Sequence, residues 1–456
     1  MLSIIKKAGI IGIWLVIWQI ASSVTGLAFL LPGPVTVFLA LGKALCTRAF
    51  YRVVFHSFIK ISAGFLAALL AGLVLGSIAA VKKGVQSFLE PLVLLMKALP
   101  VAAFIIVMLI WFGSQNAAVT IGFMVVFPMV YQAVLEGACA ADTKLLEMAA
   151  VFELSPVKKV RYIYVPQIMP FLNAAVKTAA GMCWKAGVSA EVIGLVKNSI
   201  GEELYYAKLY LMMPELFAWS ITIMCISFLF EKLAVALIRQ CGRVISGDIH
   251  GSEGTGQMQK LRMEHIYKSY GQAVVLQDFS YAFTPGGITC IMGESGAGKT
   301  TLLRLLMGLE KADSGIITGF DKVSAVFQEN RLIEHLNAVE NTALVIKDRN
   351  AGKCAYEQLL QLLPKEALLK PVREYSGGMK RRVALVRAMA ADSEIVLLDE
   401  PFTGLDSRNS KKAAEYILSE QRGRTVISVT HDMEMCKMLG AGICLLTSGK
   451  AVATIL

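Results

Sequence analysis

Residues 293–301 read GESGAGKTT, a run of small residues ending in one lysine and two hydroxyls that suits the holding of phosphate. Gly293, Gly296 and Gly298 free the backbone so that its N–H groups, with those of Glu294, Ser295 and Ala297, can turn toward one centre. Lys299 can then reach β and γ phosphates and Thr300 can offer a hydroxyl to Mg²⁺, with Thr301 beside it. Roughly a hundred residues later the apolar run IVLL ends in Asp399 and Glu400, two carboxylates at the tip of a buried strand. Asp399 suits Mg²⁺ held through water, and Glu400 suits the polarising of an attacking water. The chemistry these residues allow is phosphoryl transfer to water, with ATP and Mg²⁺. The nine cysteines include no CxxC pair, which points to reduced packing residues rather than a disulfide framework or a zinc site.

Such groups need a strand before the loop and a helix after it, and ITCIM and LLRLLMGL supply them. Residues 260–456 alternate β-rich and helical runs, as an α/β sheet domain does. The rest of the chain differs in kind. Of the 456 residues, 55% are hydrophobic and 17% charged, against about 45–50% and about 25% in soluble domains, which excludes a wholly soluble chain. The apolar excess lies in residues 1–245. Most of the net charge of +11 lies there too: residues 1–250 carry 20 basic and 11 acidic side chains, residues 251–456 carry 25 and 23. That placement favours a lipid membrane surface over nucleic acid. Six crossings are expected, at about 10–31, 61–81, 92–112, 117–135, 167–195 and 211–238. The first is too long for a usual cleaved signal core. Ten basic residues in the alternate loops that include Lys6 and Lys7, against five in the others, place both termini in the cytosol. The fold class expected is an all-α polytopic membrane domain of six helices at 1–245, a Gly-rich tether at 246–259, and an α/β P-loop ATPase domain at 260–456.

Between the fourth and fifth crossings, residues 145–170 read LLEMAAVFELSPVKKVRYIYVPQIMP. The small Ala149 and Ala150 suit a short helix that docks closely against another surface, and Pro166 and Pro170 mark re-entry into the membrane. With Glu147, Phe152, Ser155 and Arg161, this stretch resembles the coupling loop of binding-protein-dependent ABC importer permeases, although Glu153 stands where that loop usually has Gly. The LPGP after the first helix, and the run from Trp184 through SIGEELYYAKLY, resemble the nitrate/sulfonate/taurine branch. Lys185 and Glu191 lie near membrane depth, where ionisable groups line a solute path, pair with each other, or snorkel. Gly72 to Gly76 forms GLVLG, a spacing that permits close helix approach.

Residues 260–456 resemble ABC transporter ATPase subunits, and the resemblance assigns further roles. YSGGMKRR at 375–382 matches the signature segment, so Ser376, Gly377 and Gly378 would face nucleotide, with Tyr375 and Met379 where the family usually has Leu and Gln. Gln328 would sense γ-phosphate and touch Mg²⁺, Asp406 would bridge a dimer, His431 would act as the γ-phosphate switch, and Tyr270 would stack on adenine. Only 48 positions separate Gln328 from Ser376, so the helical subdomain is expected to be trimmed.

Together these resemblances imply a fused permease and ATPase that works as a homodimer. It would import a small solute, an anion such as a sulfonate, nitrate or taurine, or else a thiamine-precursor-like compound, delivered by an external solute-binding protein. The alternatives are an ABC exporter half-transporter and a membrane-anchored ATPase that regulates another complex.

Overall fold

The computed structural model describes residues 2–25, 30–244, 261–319, 322–447 and 450–454. The expected tether at 246–259 lies outside the described residues. The chain divides into two compact units, 1–140 with 164–245 and 141–163 with 246–456. Residues 145–163 of the expected coupling segment therefore group with the second unit, and residues 164–170 with the first.

In the first unit, three helices among the described residues are each long and apolar enough to cross a membrane, Arg48–Val81, Ser114–Cys139 and Met213–Ile238. The expected third crossing is broken: Lys83–Ala98 and Val101–Phe112 meet at Leu99 and Pro100 with a bend of 110°. Proline lacks the N–H that would continue the helix, and the residue before it is pushed out of the helical region. The expected fifth crossing is one continuous helix, Val165–Gly194. At 1.5 Å per residue its 30 residues reach about 45 Å, but Lys177, Lys185 and Glu191 keep it less apolar than the others. Two shorter helices that the apolar runs did not show are Pro34–Leu45, with Pro34 in its first turn, and Ile200–Leu209, capped by Ser199.

Gly64, Gly72 and Gly76 let Arg48–Val81 lie against the helix Ala117–Cys139. A Cβ at Gly64 would stand 2.4 Å from the Val119 carbonyl oxygen, and one at Gly72 would stand 2.7 Å from Val130. The GLVLG spacing is thus used within this chain.

The second unit holds nine strands among the described residues. β1 (Arg262–Tyr270), β2 (Ala273–Ala282) and β4 (Ser314–Thr318) form an antiparallel sheet in the order β2-β1-β4. The other sheet combines β3 (Ile288–Met292), β5 (Val323–Val326), β6 (Ile395–Asp399), β7 (Thr425–Val429), β8 (Gly442–Thr447) and β9 (Lys450–Thr454) in the order β5-β6-β7-β3-β8-β9. All neighbours there are parallel except β9. Every residue of β6 and β7 is buried, as expected for strands covered on both faces. The region between Gln328 and Ser376 holds only two helices, Ala338–Ala343 and Ala351–Leu360, and one 3₁₀ turn.

Candidate functional site

In an open parallel sheet, ligands bind beyond the carboxyl ends of the strands. Here β5, β6, β7 and β3 lie side by side and end, in that order, at Gln328, at Asp399 and Glu400, at His431, and at the loop from Gly293. Sheet order thus gathers residues more than a hundred positions apart in sequence.

The loop has the backbone its glycines predict. Gly296 and Gly298 have φ of +85° and +97°, and Gly298 caps the helix Lys299–Leu306. A Cβ at Gly293 would stand 2.4 Å from the Leu446 carbonyl oxygen, so only glycine lets the loop leave β3 beside β8. Lys299 is buried, and its ammonium donates to the carbonyls of Gly293 and Glu294, both at 2.7 Å. A cavity of about 320 Å³ is lined by Ser295, Gly296, Gly298, Lys299, Thr300, Thr301, Gln328, Glu400 and His431, with Val275. A second cavity, of about 170 Å³, shares Thr300 and Gln328 and adds Asp399. One hydroxyl, one amide and one carboxylate around a small space are the hard oxygen donors that fit Mg²⁺ completed by phosphate oxygens.

Glu400 has φ of +49°, a conformation that side chains rarely adopt, and its N–H donates to the Val429 carbonyl at 2.8 Å. One carboxylate oxygen accepts from the Thr403 hydroxyl at 2.9 Å, and the other lies 3.4 Å from His431 Nε2. Strain of this kind costs about 1–3 kcal/mol and is held only where neighbours over-determine it. Asp399 is buried beside it. Burial first, then the Glu400 charge, push the Asp399 carboxyl up to about 6, against the opposing pull of Arg381, Lys299 and Arg331.

Ser376, Gly377, Gly378 and Asp406 line neither cavity. Ser376 caps the helix Gly377–Ala390, and Asp406 caps Ser407–Glu420 by accepting from the Asn409 N–H at 2.7 Å. Gly378 is needed where Gly377–Ala390 passes Gly404, whose carbonyl oxygen a Cβ would approach to 2.9 Å. Tyr375 is a buried anchor whose hydroxyl donates to the Ala367 carbonyl, and Met379 packs on the same core. Tyr270 also lies off both cavities. It is half exposed, the Lys268 ammonium stands 5.4 Å from its ring centre, and its hydroxyl donates to Glu310.

The segment 141–163 is built into this unit. Asp142 caps the helix Thr143–Val151, and Met148, Ala149, Val151, Phe152 and Leu154 join its apolar core. Ala149 is fully buried, as a docking residue should be. Ala150 is exposed, one residue further round the helix, and takes no part in that packing. Glu153 adopts φ of +49° while the Leu154 N–H donates to the Ala149 carbonyl, so it holds the left-handed turn in which glycine is favoured. Glu147 accepts from Arg331 at 2.6 Å with one oxygen and from Arg304 at 3.0 Å with the other. Burial raises its pKa, but the bonds from Arg304 and Arg331 outweigh that and leave the carboxyl below its ordinary value. Arg304 follows the phosphate loop on the same helix and also donates to Glu310. A chain of polar contacts thus runs Glu147, Arg304, Glu310, Tyr270. Nearby, Lys144 pairs with Glu329 at 2.6 Å, and the Lys158 ammonium donates to the Leu344 carbonyl at 2.7 Å.

The motifs did not single out Arg304, Glu310, Arg331 or Arg381. The Arg381 guanidinium is buried and donates to the carbonyls of Phe327, Gln328, Asp399 and Glu400 and to Asn330, tying the ends of β5 and β6 together. Its sequence signal was the KRR run after the two glycines.

In the first unit, Glu191 does not line the cavity of about 610 Å³. It is fully buried in Val165–Gly194, accepts from the Ser57 hydroxyl at 2.9 Å and from the Gly201 N–H at 3.3 Å, and pins the start of Ile200–Leu209. Lys185 is exposed on the same helix. The cavity is lined by other residues, among them Lys97, Gln132 and Glu136.

Residues 276–403 match the family model described as ABC transporter, and residues 72–241 match the model of the binding-protein-dependent transport system inner membrane component. Each covers less than half of the chain. A sulfate/thiosulfate import ATP-binding protein of Ralstonia nicotianae is 33% identical over 213 residues, 42% of this chain and 57% of that protein. An Fe(3+) ions import ATP-binding protein of Rhodococcus jostii is 32% identical over 210 residues, 42% of this chain and 60% of that protein. The chain thus spans less than two thirds of the length of these relatives. A solved dimeric ATP-binding cassette in a post-hydrolysis state, bound to ADP and Pi, is 29% identical over 42% of this chain and 96% of its own, with a TM-score of 0.39.

Proposed function

We propose that this chain is one half of an ATP-driven importer, carrying its permease and its ATPase in one polypeptide at the cell membrane. The observation that carries this reading is the double ion pair of Glu147. It joins a short segment between two membrane helices to the helix that follows the phosphate loop, through Arg304, and to the strand end that bears Gln328, through Arg331. The relatives whose names speak of sulfate/thiosulfate and Fe(3+) import support the direction of transport and leave the solute open.

The chain's own residues divide the work. The N–H groups of the glycine loop and the Lys299 ammonium hold the β and γ phosphates of ATP, with Tyr270 as the platform for adenine. Thr300, Gln328 and Asp399 would hold Mg²⁺, which when bound neutralises phosphate charge. Glu400 orients and polarises the water, and His431, 3.4 Å from it, reads the γ-phosphate. Ser376, Gly377, Gly378 and Asp406 line neither cavity of their own chain, which supports a homodimer in which each copy's signature helix closes the other's nucleotide site. Closure of that sandwich would pull on Glu147, and alternating access in the membrane helices would follow. Both termini and the ATPase stand in the cytosol in this reading, and an external solute-binding protein delivers the solute.

The test is ATP hydrolysis by the purified chain in lipid vesicles, with loaded solute-binding proteins added one at a time. Stimulation by one of them, abolished in Glu400→Gln, is the expected result. Robust hydrolysis driven by hydrophobic compounds and by no binding protein would move the assignment to an exporter. ATP turnover that survives Glu400→Gln would remove the catalytic assignment.

A further inference from the structure

Neither Glu191, bonded to Ser57 and Gly201, nor Lys185 lines the cavity of about 610 Å³ in the first unit. That cavity carries its own charges. The Lys97 ammonium donates to Gln132 Oε1 at 3.3 Å, and Gln132 Nε2 donates to Glu136 Oε1 at 2.8 Å. Lys97 keeps two further N–H donors and Glu136 its second oxygen, so a short polar chain ends in a cation on one side and an anion on the other. The rest of the wall is mostly apolar, including Met96, Met129 and Phe171. About 610 Å³ lies within the roughly 300–1,000 Å³ of small-molecule sites.

Three features bear on what this cavity can hold. Charged side chains on membrane helices are costly against lipid and face water-filled cavities or partners. The wall includes Leu99, at the 110° break between Lys83–Ala98 and Val101–Phe112, and broken helices expose backbone groups that can bind solute. The lining residues 128–136 and 171–182 lie toward the ends of Ala117–Cys139 and Val165–Gly194 that segment 141–163 joins, the ends a pull on Glu147 would move first.

We propose that this cavity is the inner part of the solute path and that it selects a compact zwitterion, with Lys97 taking its acidic group, Glu136 its cationic group, and the apolar wall the carbons between. A plain anion would leave Glu136 facing it, and a plain cation would leave Lys97. The inference rests on the importer reading, and its test is separate from turnover. Thr178 lines the same cavity. In the full chain in vesicles, Thr178→Cys is labelled with a charged thiol reagent and counted by intact mass above the native cysteines, with 4-aminobutyrate, butyrate or butylamine as probes at high millimolar concentration. We expect labelling, slowed about tenfold by 4-aminobutyrate and less than about twofold by either singly charged probe. Lys97→Gln and Glu136→Gln, each added to Thr178→Cys, should abolish the protection, measured in each variant as the ratio of its own labelling rates with and without 4-aminobutyrate. No labelling, equal protection by butyrate, or protection that survives both variants would overturn the proposal. Protection without ATP-driven uptake would sink the importer reading alone, and uptake without protection would sink the site alone.

Discussion

Replacing Glu147 by Gln should uncouple solute movement from ATP turnover while leaving the phosphate site intact. Glu147 makes charge-assisted bonds of 2.6 and 3.0 Å, with 30% of its side chain exposed against 12% for Arg331 and 29% for Arg304. Fully exposed pairs are worth about 0–1 kcal/mol. Removing one partner of a buried pair costs about 3–5 kcal/mol. With screening on the open side, and with the Gln carbonyl still able to accept one bond, the loss is about 2 kcal/mol, or roughly thirtyfold in the coupled population. Binding-protein-stimulated hydrolysis and uptake should therefore fall about thirtyfold in vesicles. Basal hydrolysis should stay within about twofold, because Glu147 does not line the cavity formed by Lys299 and Glu400. The sign with pH follows from the lowered carboxyl. The contact is fully present above the ordinary value of 4.5 and is lost as pH falls through the lower folded value, so coupling should not vary through this group near neutrality. Equal loss of basal and stimulated hydrolysis, or full stimulation of Glu147→Gln, would refute the assignment of Glu147 as the coupling contact.

Glu153→Gly should stabilise the second unit by about 1 kcal/mol, because Glu153 holds φ of +49° where glycine carries no penalty, and should raise the melting midpoint in detergent by about 2–4 °C; an unchanged midpoint would show that the turn is unstrained. Arg381→Lys should cost about 3 kcal/mol and lower ATP turnover, since an ammonium cannot reach the carbonyls of β5 and β6 together, and near-normal stability and turnover in this variant would contradict that reading. Gly201→Ala should cost about 3 kcal/mol or more, read as loss of monodisperse chain, because its Cβ would stand 2.4 Å from the Glu191 backbone, while Gly181→Ala, with nothing within 4 Å, serves as the unaffected control.

The phosphate site was legible because its chemistry constrains neighbours in sequence. A loop that turns N–H groups inward needs glycine at set positions, as the left-handed Gly296 and Gly298 bear out, and a carboxylate at a strand tip announces itself after four apolar residues. Glu147 was legible too, but its partners Arg304 and Arg331 were not. They lie 157 and 184 residues away, and nothing in an isolated arginine says which distant helix will meet it. The membrane half was legible as helical and apolar, but not in its detail. Hydropathy counts charges along a run, so it read 92–112 as one crossing, whereas Pro100 breaks the run after Leu99. It also gave Lys185 and Glu191 equal standing. The fold buries Glu191 on Ser57 and Gly201, and it lines the cavity with Lys97 and Glu136, charges that sit in or beside spans the sequence had treated as apolar.

These two differences have one cause. A charge on a membrane helix is informative only once its facing partner is known, and that partner is set by packing. On Arg48–Val81 that packing depends on three glycines whose Cβ positions are filled by the neighbouring helix. The same close approach that makes GLVLG a seam within the chain helps decide which faces of Ala117–Cys139 remain for solute. Enlarging Gly72 should therefore disturb the Lys97–Gln132–Glu136 chain indirectly, by moving the helix that carries two of its three members.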